Sequence, residues 1–385
     1  MIRYFDGNRV TLLRSGAEYF PALKRSIEQA RTEIFLETYI FADDPTGRSV
    51  ATALCRASQR GVRVHVLLDG FGAKNMSAPL LQRMLDAHVV VLIYRRKISP
   101  LTLRRHRLRR MHRKIAVVDG CTAFVGGINV IDDNNTPGQI PPRYDFSVQI
   151  EGPLLAPVQY EVTRLWRWVA FANLQRRWRV AERPEVDASP KGTQRAALLV
   201  RDNIRHRTDI EEGYLEAIDA AREEIIIANA YFLPGMRFRH ALGRAAGRGV
   251  RVVLLLQGRV EYMLLHYASR ALYGNLLDAG IEIHEYHDGF MHAKVAVVDG
   301  HWATVGSSNI DPFSLTLARE ANVVVDDAVF SGELRESLRK AMNDRTIQVA
   351  KTDWQQRPFW RKVPVWLAYT FVRILLGWVG YAKQQ

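Results

Sequence analysis

The chain has 385 residues, a formal net charge of +14 at pH 7 and a pI near 9.9. With 48% hydrophobic residues it is not a disordered chain, and it is long enough for two ordinary domains with a substantial core. The charge selects an anionic partner, nucleic acid or an anionic membrane surface, and does not separate the two.

The N-terminus, Met1 to Asn8, lacks the apolar core of a secretory signal. No stretch before the C-terminal tail is long and apolar enough to span a bilayer, so the bulk of the chain is expected in the cytoplasm. Residues 10–13 read as a short strand. A helix follows over Tyr19 to Arg31, with Phe20, Leu23, Ile27 and Ala30 on one face. Glu33 to Phe41 reads as a buried strand, Thr46 to Gln59 as a helix stopped near Gly61, and Val62 to Leu68 as a strand. A helix from Pro79 to Ala87 and a strand from Val89 to Tyr94 complete the first series. Cys55 and Cys121 stand far apart among apolar neighbours and are expected as two buried, reduced thiols.

A strongly basic segment then runs from Arg95 to Arg110, expected as an arm that engages phosphates. A helix from about Leu155 carries Trp166 and Trp168, expected in the core or at an interface. Gln175 to Thr193 is polar, with Pro184 and Pro190, and reads as a linker. After it the order of elements repeats. Glu224 to Phe232 matches Glu33 to Phe41, Gly249 to Val252 matches Gly61 to Val64, and Ile281 to Tyr286 matches Val89 to Tyr94. Alternating strands and helices indicate α/β sandwiches, and a repeat this long is a duplicated domain.

The tail opens with Arg357-Pro358-Phe359-Trp360-Arg361-Lys362 and is almost wholly apolar from Val365 to Ala382, apart from Thr370 and Arg373. A mid-bilayer Arg costs about 2.5–3.5 kcal/mol, whereas Trp and flanking basic residues suit the headgroup region. An amphipathic helix in the interface is favoured over packing on the protein and over a span.

The chemistry is carried by a stretch that occurs twice. Residues 112–119 read His-Arg-Lys-Ile-Ala-Val-Val-Asp, and 292–299 read His-Ala-Lys-Val-Ala-Val-Val-Asp. Each is followed, after the same interval, by a Gly-x-x-Asn: Gly126 to Asn129 and Gly306 to Asn309. In a strand, His and Lys two apart project to one side. Together the copies supply a nucleophile, a general acid, and Lys and Asn donors for phosphate oxygens. Asp119 and Asp299 end the strands before Gly120 and Gly300, which favours an anchoring role over contact with substrate.

The duplicated His-x-Lys-x4-Asp with its Gly-x-x-Asn resembles the phospholipase D superfamily, over almost the entire chain. The resemblance implies duplicated phospholipase D-like α/β sandwich domains with pseudo-twofold symmetry and one site at their interface. Residues 1–178 and 194–350 would be the domains, 179–193 the linker and 351–385 an amphipathic, membrane-associated tail. The implied catalytic set is His112, Lys114, Asp119, His292, Lys294 and Asp299, with Asn129, Asn309 and Ser307 on the substrate phosphate. His112 would attack phosphorus and His292 protonate the leaving alcohol, an order that the symmetry of the copies leaves open. Asp145 and Glu320 each precede a further strand, 33 and 28 positions after the motif His. By the resemblance each orients the imidazole of the other half: Glu320 with His112, Asp145 with His292. No metal and no cofactor are implied. Gly127 departs from the Ser common in the superfamily, and Ala318 from the Asn that cardiolipin synthases often carry two residues before the Glu.

Gly306 to Ser314, Glu37 to Phe41 and Asn229 to Gly235 are similar to bacterial cardiolipin synthases, and the lack of N-terminal spans to their B type. The implied reaction is phosphatidyl transfer between two phosphatidylglycerol molecules, giving cardiolipin and glycerol. The implied partners are phosphatidylglycerol and an anionic membrane surface; no nucleic acid is expected, and the oligomeric state is open. The implied place is the bacterial inner membrane, bound peripherally on its cytoplasmic side. A hydrolytic phospholipase D, a nuclease on the same fold, and a non-catalytic relic are the competing readings; intact motifs in both halves oppose the last.

Overall fold

The computed structural model describes residues 2–95, 109–173, 185–260, 263–355, 365–372 and 374. Residues 96–108 of the basic segment, 179–184 of the expected linker and most of the tail beyond 355 lie outside this set.

The first half supplies strands β1 (Phe5–Arg14), β2 (Glu33–Thr38), β3 (Arg63–Asp69), β4 (Val90–Tyr94), β5 (Arg110–Met111), β6 (Lys114–Val118), β7 (Thr122–Gly126), β8 (Arg143–Tyr144) and β9 (Phe146–Glu151). The second supplies β10 (Gln194–Arg201), β11 (Glu224–Asn229), β12 (Arg251–Gln257), β13 (Glu282–Tyr286), β14 (Phe290–Met291), β15 (Lys294–Val298), β16 (Trp302–Gly306), β17 (Ala318–Asp326) and β18 (Thr346–Gln348). In the sheet the order β10-β17-β16-β15-β11-β12-β13 mirrors β1-β9-β7-β6-β2-β3-β4. The mirror lies between β1 and β10, which pair antiparallel through Phe5↔Ala196 and Asn8↔Gln194. That pairing explains why β1 begins at Phe5 and not near Val10. Its first residues are held by the other half, which no local pattern encodes.

The inner strands are almost continuously apolar because both sheet faces are covered. Outer faces carry separate helical cores: Leu23, Ile27, Val50 and Leu54 in the first half, Ile218, Phe238 and Leu242 in the second. The inner faces share one core, where Phe35, Val117 and Val148 join Ile226, Val297 and Val323 with the helices Leu155–Ala172 and Ala328–Arg345. Helix starts follow local chemistry. Pro45 opens one helix behind Asp44, whose carboxylate accepts the Gly47 N–H at 2.8 Å. Trp166 is buried, and Trp168 lies at the edge beneath the Arg319 guanidinium. Cys55 is buried, but Cys121 is exposed. Cys121 sits in the tight turn between β6 and β7, where the apolar strands have already ended.

Candidate active site

Two two-residue strands bring the motifs together. β5 pairs parallel with β17 of the other half, and the His112 N–H donates to the Arg319 carbonyl at 2.9 Å. β14 pairs in the same way with β8, and the His292 N–H donates to the Tyr144 carbonyl at 2.8 Å. The residue after each accepting carbonyl is the acid. Glu320 therefore meets His112 Nδ1 at 3.0 and 3.1 Å, and Asp145 meets His292 Nδ1 at 2.6 Å. Each imidazole is thus held by a carboxylate of the opposite half, the cross-pairing that the resemblance implies. A Nδ1–H committed to a carboxylate leaves the Nε2 lone pair for chemistry on a neutral ring.

Both imidazoles line a cavity of about 350 Å³, with Tyr39, Arg110, Asn129, Tyr231, Leu265, Asn309, Asp311, Ser314 and Leu317 among its walls. Lys114 and Lys294 lie buried just behind, each donating to the carbonyl of its own motif His. Asn129 Oδ1 accepts the Ile40 N–H at 3.0 Å, which turns its amide N–H groups to the remaining space.

The electrostatics follow from burial. Desolvation lowers the His112 pKa below the usual range, opposed by the Glu320 carboxylate. His292 is pushed down further, by burial and then by Lys294, Arg143 and Lys114. Burial pushes Lys114 down to about 7 even though Glu320 works the other way. The same burial raises the Asp145 carboxyl, with Lys294 opposing. Burial thus opposes the charged form of both rings. A phosphodiester anion beside the rings works the other way, since a nearby negative charge favours the protonated imidazole.

Two members of the expected set stand elsewhere. Asp119 and Asp299 are at the far ends of β6 and β15 and do not reach the cavity. Asp119 accepts the N–H groups of Arg31, Thr32 and Glu33 at 2.8–2.9 Å; Asp299 accepts those of Arg222, Glu223 and Glu224 at 2.8–3.0 Å. Burial works against their charge, but these amides outweigh it and hold both carboxyls below the usual range. They clamp β6 and β15 to the entries of β2 and β11, the arrangement of an anchor. Ser307 is also absent from the cavity wall. It is fully buried, and its hydroxyl donates to Glu320 Oε2 at 2.5 Å. It fixes the acid that fixes His112.

Several residues emerge only in three dimensions. Tyr39 sets its ring edge-on to His112, 4.9 Å between centroids, with Lys114 over its face. Arg113, between His112 and Lys114 in sequence, points the opposite way into the core. There Glu37 takes its Nε at 2.5 Å and Nη2 at 2.9 Å, and the Glu161 carbonyl takes Nη2 at 2.9 Å. Strand alternation could have assigned Arg113 to the buried face, but its partners lie 76 and 48 residues away. Among the described residues no group of three or more His, Cys, Asp or Glu side chains could hold a metal ion.

Two half-sites, each giving a His to one cleft with a Lys buried behind it, and an acid to the other half's His, define a phospholipase D-like catalytic centre. Comparison with known proteins narrows the class. The model for "Cardiolipin synthase, PLD-like domain" matches residues 23–139 and 214–342. Cardiolipin synthase B of Escherichia coli K12 is 39% identical over 378 residues, covering 97% of this chain and 91% of that protein. Cardiolipin synthase A of Pectobacterium carotovorum is 29% identical over 377 residues, covering 96% and 76%. The crystal structure of phosphatidylserine synthase from Haemophilus influenzae superimposes with a TM-score of 0.71 over 97% of this chain and 95% of that one, at 14% identity, and so shares the fold. The chain belongs to the cardiolipin synthase family of phospholipase D-like proteins.

Proposed function

We propose that this protein is a cardiolipin synthase that moves the phosphatidyl group of one phosphatidylglycerol onto the headgroup hydroxyl of another. The observation that carries the reading is the crossed pair of carboxylate-held imidazoles on one cavity. One Nε2 attacks phosphorus and forms a phosphohistidine, and the other imidazole gives its proton to the departing glycerol. The second phosphatidylglycerol then loses its hydroxyl proton to that imidazole and attacks, and the P–N bond breaks. Phosphodiester is exchanged for phosphodiester, so no energy source is consumed. Lys114, Lys294, Asn129 and Asn309 stabilise the charge on the phosphate oxygens throughout. Glu320 and Asp145 keep the rings in the productive tautomer.

The lipid reading is supported by the surface beside the cavity. Leu265 lines the cavity, and its neighbours on the helix Met263–Arg270 turn outward, with Met263 66% exposed. In the helical segment 365–372, Tyr369 and Val372 pack on the second-half core while Trp366, Leu367 and Phe371 face outward. Such an apolar face with an anchored back fits a peripheral, interfacial mode of membrane contact. No helix among the described residues is long and apolar enough to cross a membrane. We take residues 1–178 and 194–350 as the catalytic domains, 179–193 as their linker, 351–385 as the membrane-associated tail, and the cytoplasmic side of the bacterial inner membrane as the place of action.

The test is incubation of the purified protein with phosphatidylglycerol vesicles and lipid mass spectrometry. Cardiolipin with equimolar glycerol is expected. Phosphatidic acid alone would replace the transferase with a hydrolase, and nucleic-acid cleavage without lipid turnover would overturn the lipid reading.

A further inference from the structure

The two walls of the cavity differ two residues before each motif His. Position 110 is Arg and position 290 is Phe. Met111 is fully buried, so strand alternation turns Arg110 and His112 to the same face, about 6.6 Å apart along the strand. Both line the cavity, and Arg110 is the sole Arg or Lys among its described lining residues. The position is fixed by structure on both sides. β5 is paired with β17 through Arg110↔Ala318, and the Met111 N–H is held by the Asp69 carboxylate at 2.8 Å. The guanidinium lies over the Phe71 ring at 5.8 Å, with Nη1 donating to the Arg109 carbonyl at 3.0 Å. Phe290, at the equivalent place in the second half, brings no charge to the cavity, and the cation over its ring, Arg143 of β8, does not line the cavity.

In the function proposed above the reacting phosphate is served by Asn129 and Asn309 from the cavity wall and by the two Lys behind it, so a further guanidinium one strand step away matches a second anion. The proposed reaction brings one. The acceptor phosphatidylglycerol carries its own phosphodiester, separated from the attacking hydroxyl by the three carbons of its glycerol. An extended three-carbon bridge spans a distance comparable to the step from His112 to Arg110. A planar fork of N–H donors suits a phosphodiester oxygen pair. Resting on the function proposed above, we propose that Arg110 binds the non-reacting phosphate of the acceptor lipid and so selects an anionic phospholipid over small neutral alcohols. In the attack, the acceptor oxygen forms its bond to phosphorus, the P–N bond returns its electron pair to the imidazole, and the hydroxyl proton passes to the second His. Arg110 takes no part in these transfers; it holds the acceptor in register.

Labelled glycerol added to phosphatidylglycerol vesicles tests this, because both acceptors then compete for one phosphatidyl-enzyme from one donor. Label entering phosphatidylglycerol reports the neutral acceptor, and cardiolipin reports the anionic one. For Arg110→Ala the ratio of cardiolipin to glycerol exchange should fall at least tenfold, and Arg110→Lys should recover part of it. A parallel fall in both products would place Arg110 on the reacting phosphate or in the fold and overturn the proposal, as would an unchanged ratio. If the unaltered protein exchanges glycerol but makes no cardiolipin, the synthase reading itself fails, independently of Arg110.

Discussion

The two halves share a scaffold but not a way of supporting it. In the first, the strand that carries His112 and Lys114 is pinned by a buried Arg113 held between Glu37 and Glu161. In the second, the corresponding places are Ala293, Ala228 and, at the same step along the equally long helix, Leu334, all buried. Ionic and apolar solutions therefore hold the same strand pair in the same register, Glu37↔Ile115 and Ala228↔Val295. The acids differ too. Glu320 reaches His112 with its carboxylate braced by Ser307, whereas the shorter Asp145 lies where a side chain at Gly127 would be. A Cβ there would stand 2.3 Å from Asp145 Oδ1. The absent Ser and the shorter acid compensate for each other. Symmetry is kept where the chemistry needs two imidazoles and relaxed where only their support is concerned.

The strongest way to break the comparison is to remove one half's imidazole. His112→Ala and His292→Ala should each lower kcat by 10³ or more, about 4 kcal/mol, and the double variant should be no worse than the poorer single. Half of the activity surviving in either would mean two independent sites. Acid-labile phosphoprotein, trapped by rapid quenching of each variant, would show which ring takes the phosphatidyl group.

The supports should break unequally. Arg113→Ala leaves Glu37 as a buried acid without its guanidinium, while Glu161 keeps Arg164 at 2.9 Å, and should cost about 3–5 kcal/mol in a denaturant titration. Adding Glu37→Ala, which copies the second half, should recover much of the loss. Ala293→Gly, the matching site opposite, should cost about 1 kcal/mol or less. Equal losses would show that the ion network is incidental.

The acid pair can be exchanged between halves. Gly127→Ser alone puts a side chain onto the Asp145 carboxylate and should cost about 1–3 kcal/mol as overpacking, with a roughly tenfold drop in activity as the His292 ring loses its orientation. Asp145→Glu alone should fare no better. Together they reproduce the Ser307–Glu320 arrangement, and the double variant should be more active than either single. A strictly additive loss, measured as a double-mutant cycle on kcat/KM, would refute the compensation.

The sequence carried the repeat, the strands and the reacting side chains, because these depend on periodicity and on residue identity at fixed spacing. The cross-pairing of Glu320 and Asp145 came from resemblance, since no local signal links an acid to a His 208 or 147 residues away. What the sequence hid was direction. Asp119 and Asp299 read as part of the motif but face the wrong end of their strands, and Ser307 reads as a phosphate donor but turns inward to Glu320. Arg113 and Tyr39 gain their roles only through partners brought by the fold. Cys121 looked buried because its neighbours are apolar, yet the turn that holds it is open to solvent.

The smallest expected effect separates the two lysines by pH. In the free site Lys114 is pushed down to about 7, by burial first, with Glu320, Asp145 and Asp69 opposing. Its charged form is the one that binds a phosphate oxygen, so kcat/KM should fall as pH rises through this value, about fivefold between pH 7 and 8. Stability should move the other way. The folded pKa lies below the unfolded value of 10.5, so between pH 7 and 10.5 the unfolded chain holds the extra proton and the cost of burying Lys114 is progressively relieved as pH rises. Lys114→Met should flatten that rise and remove the alkaline limb along with most of the activity. Lys294 instead has a carboxylate oxygen of Asp145 at 3.7 Å. Lys294→Met should lower the rate and keep the limb but move it to higher pH, because the Lys294 charge is one of the causes that depress Lys114. A limb that is lost with Lys294, or persists without Lys114, would assign the titration to another group and remove this distinction between the halves.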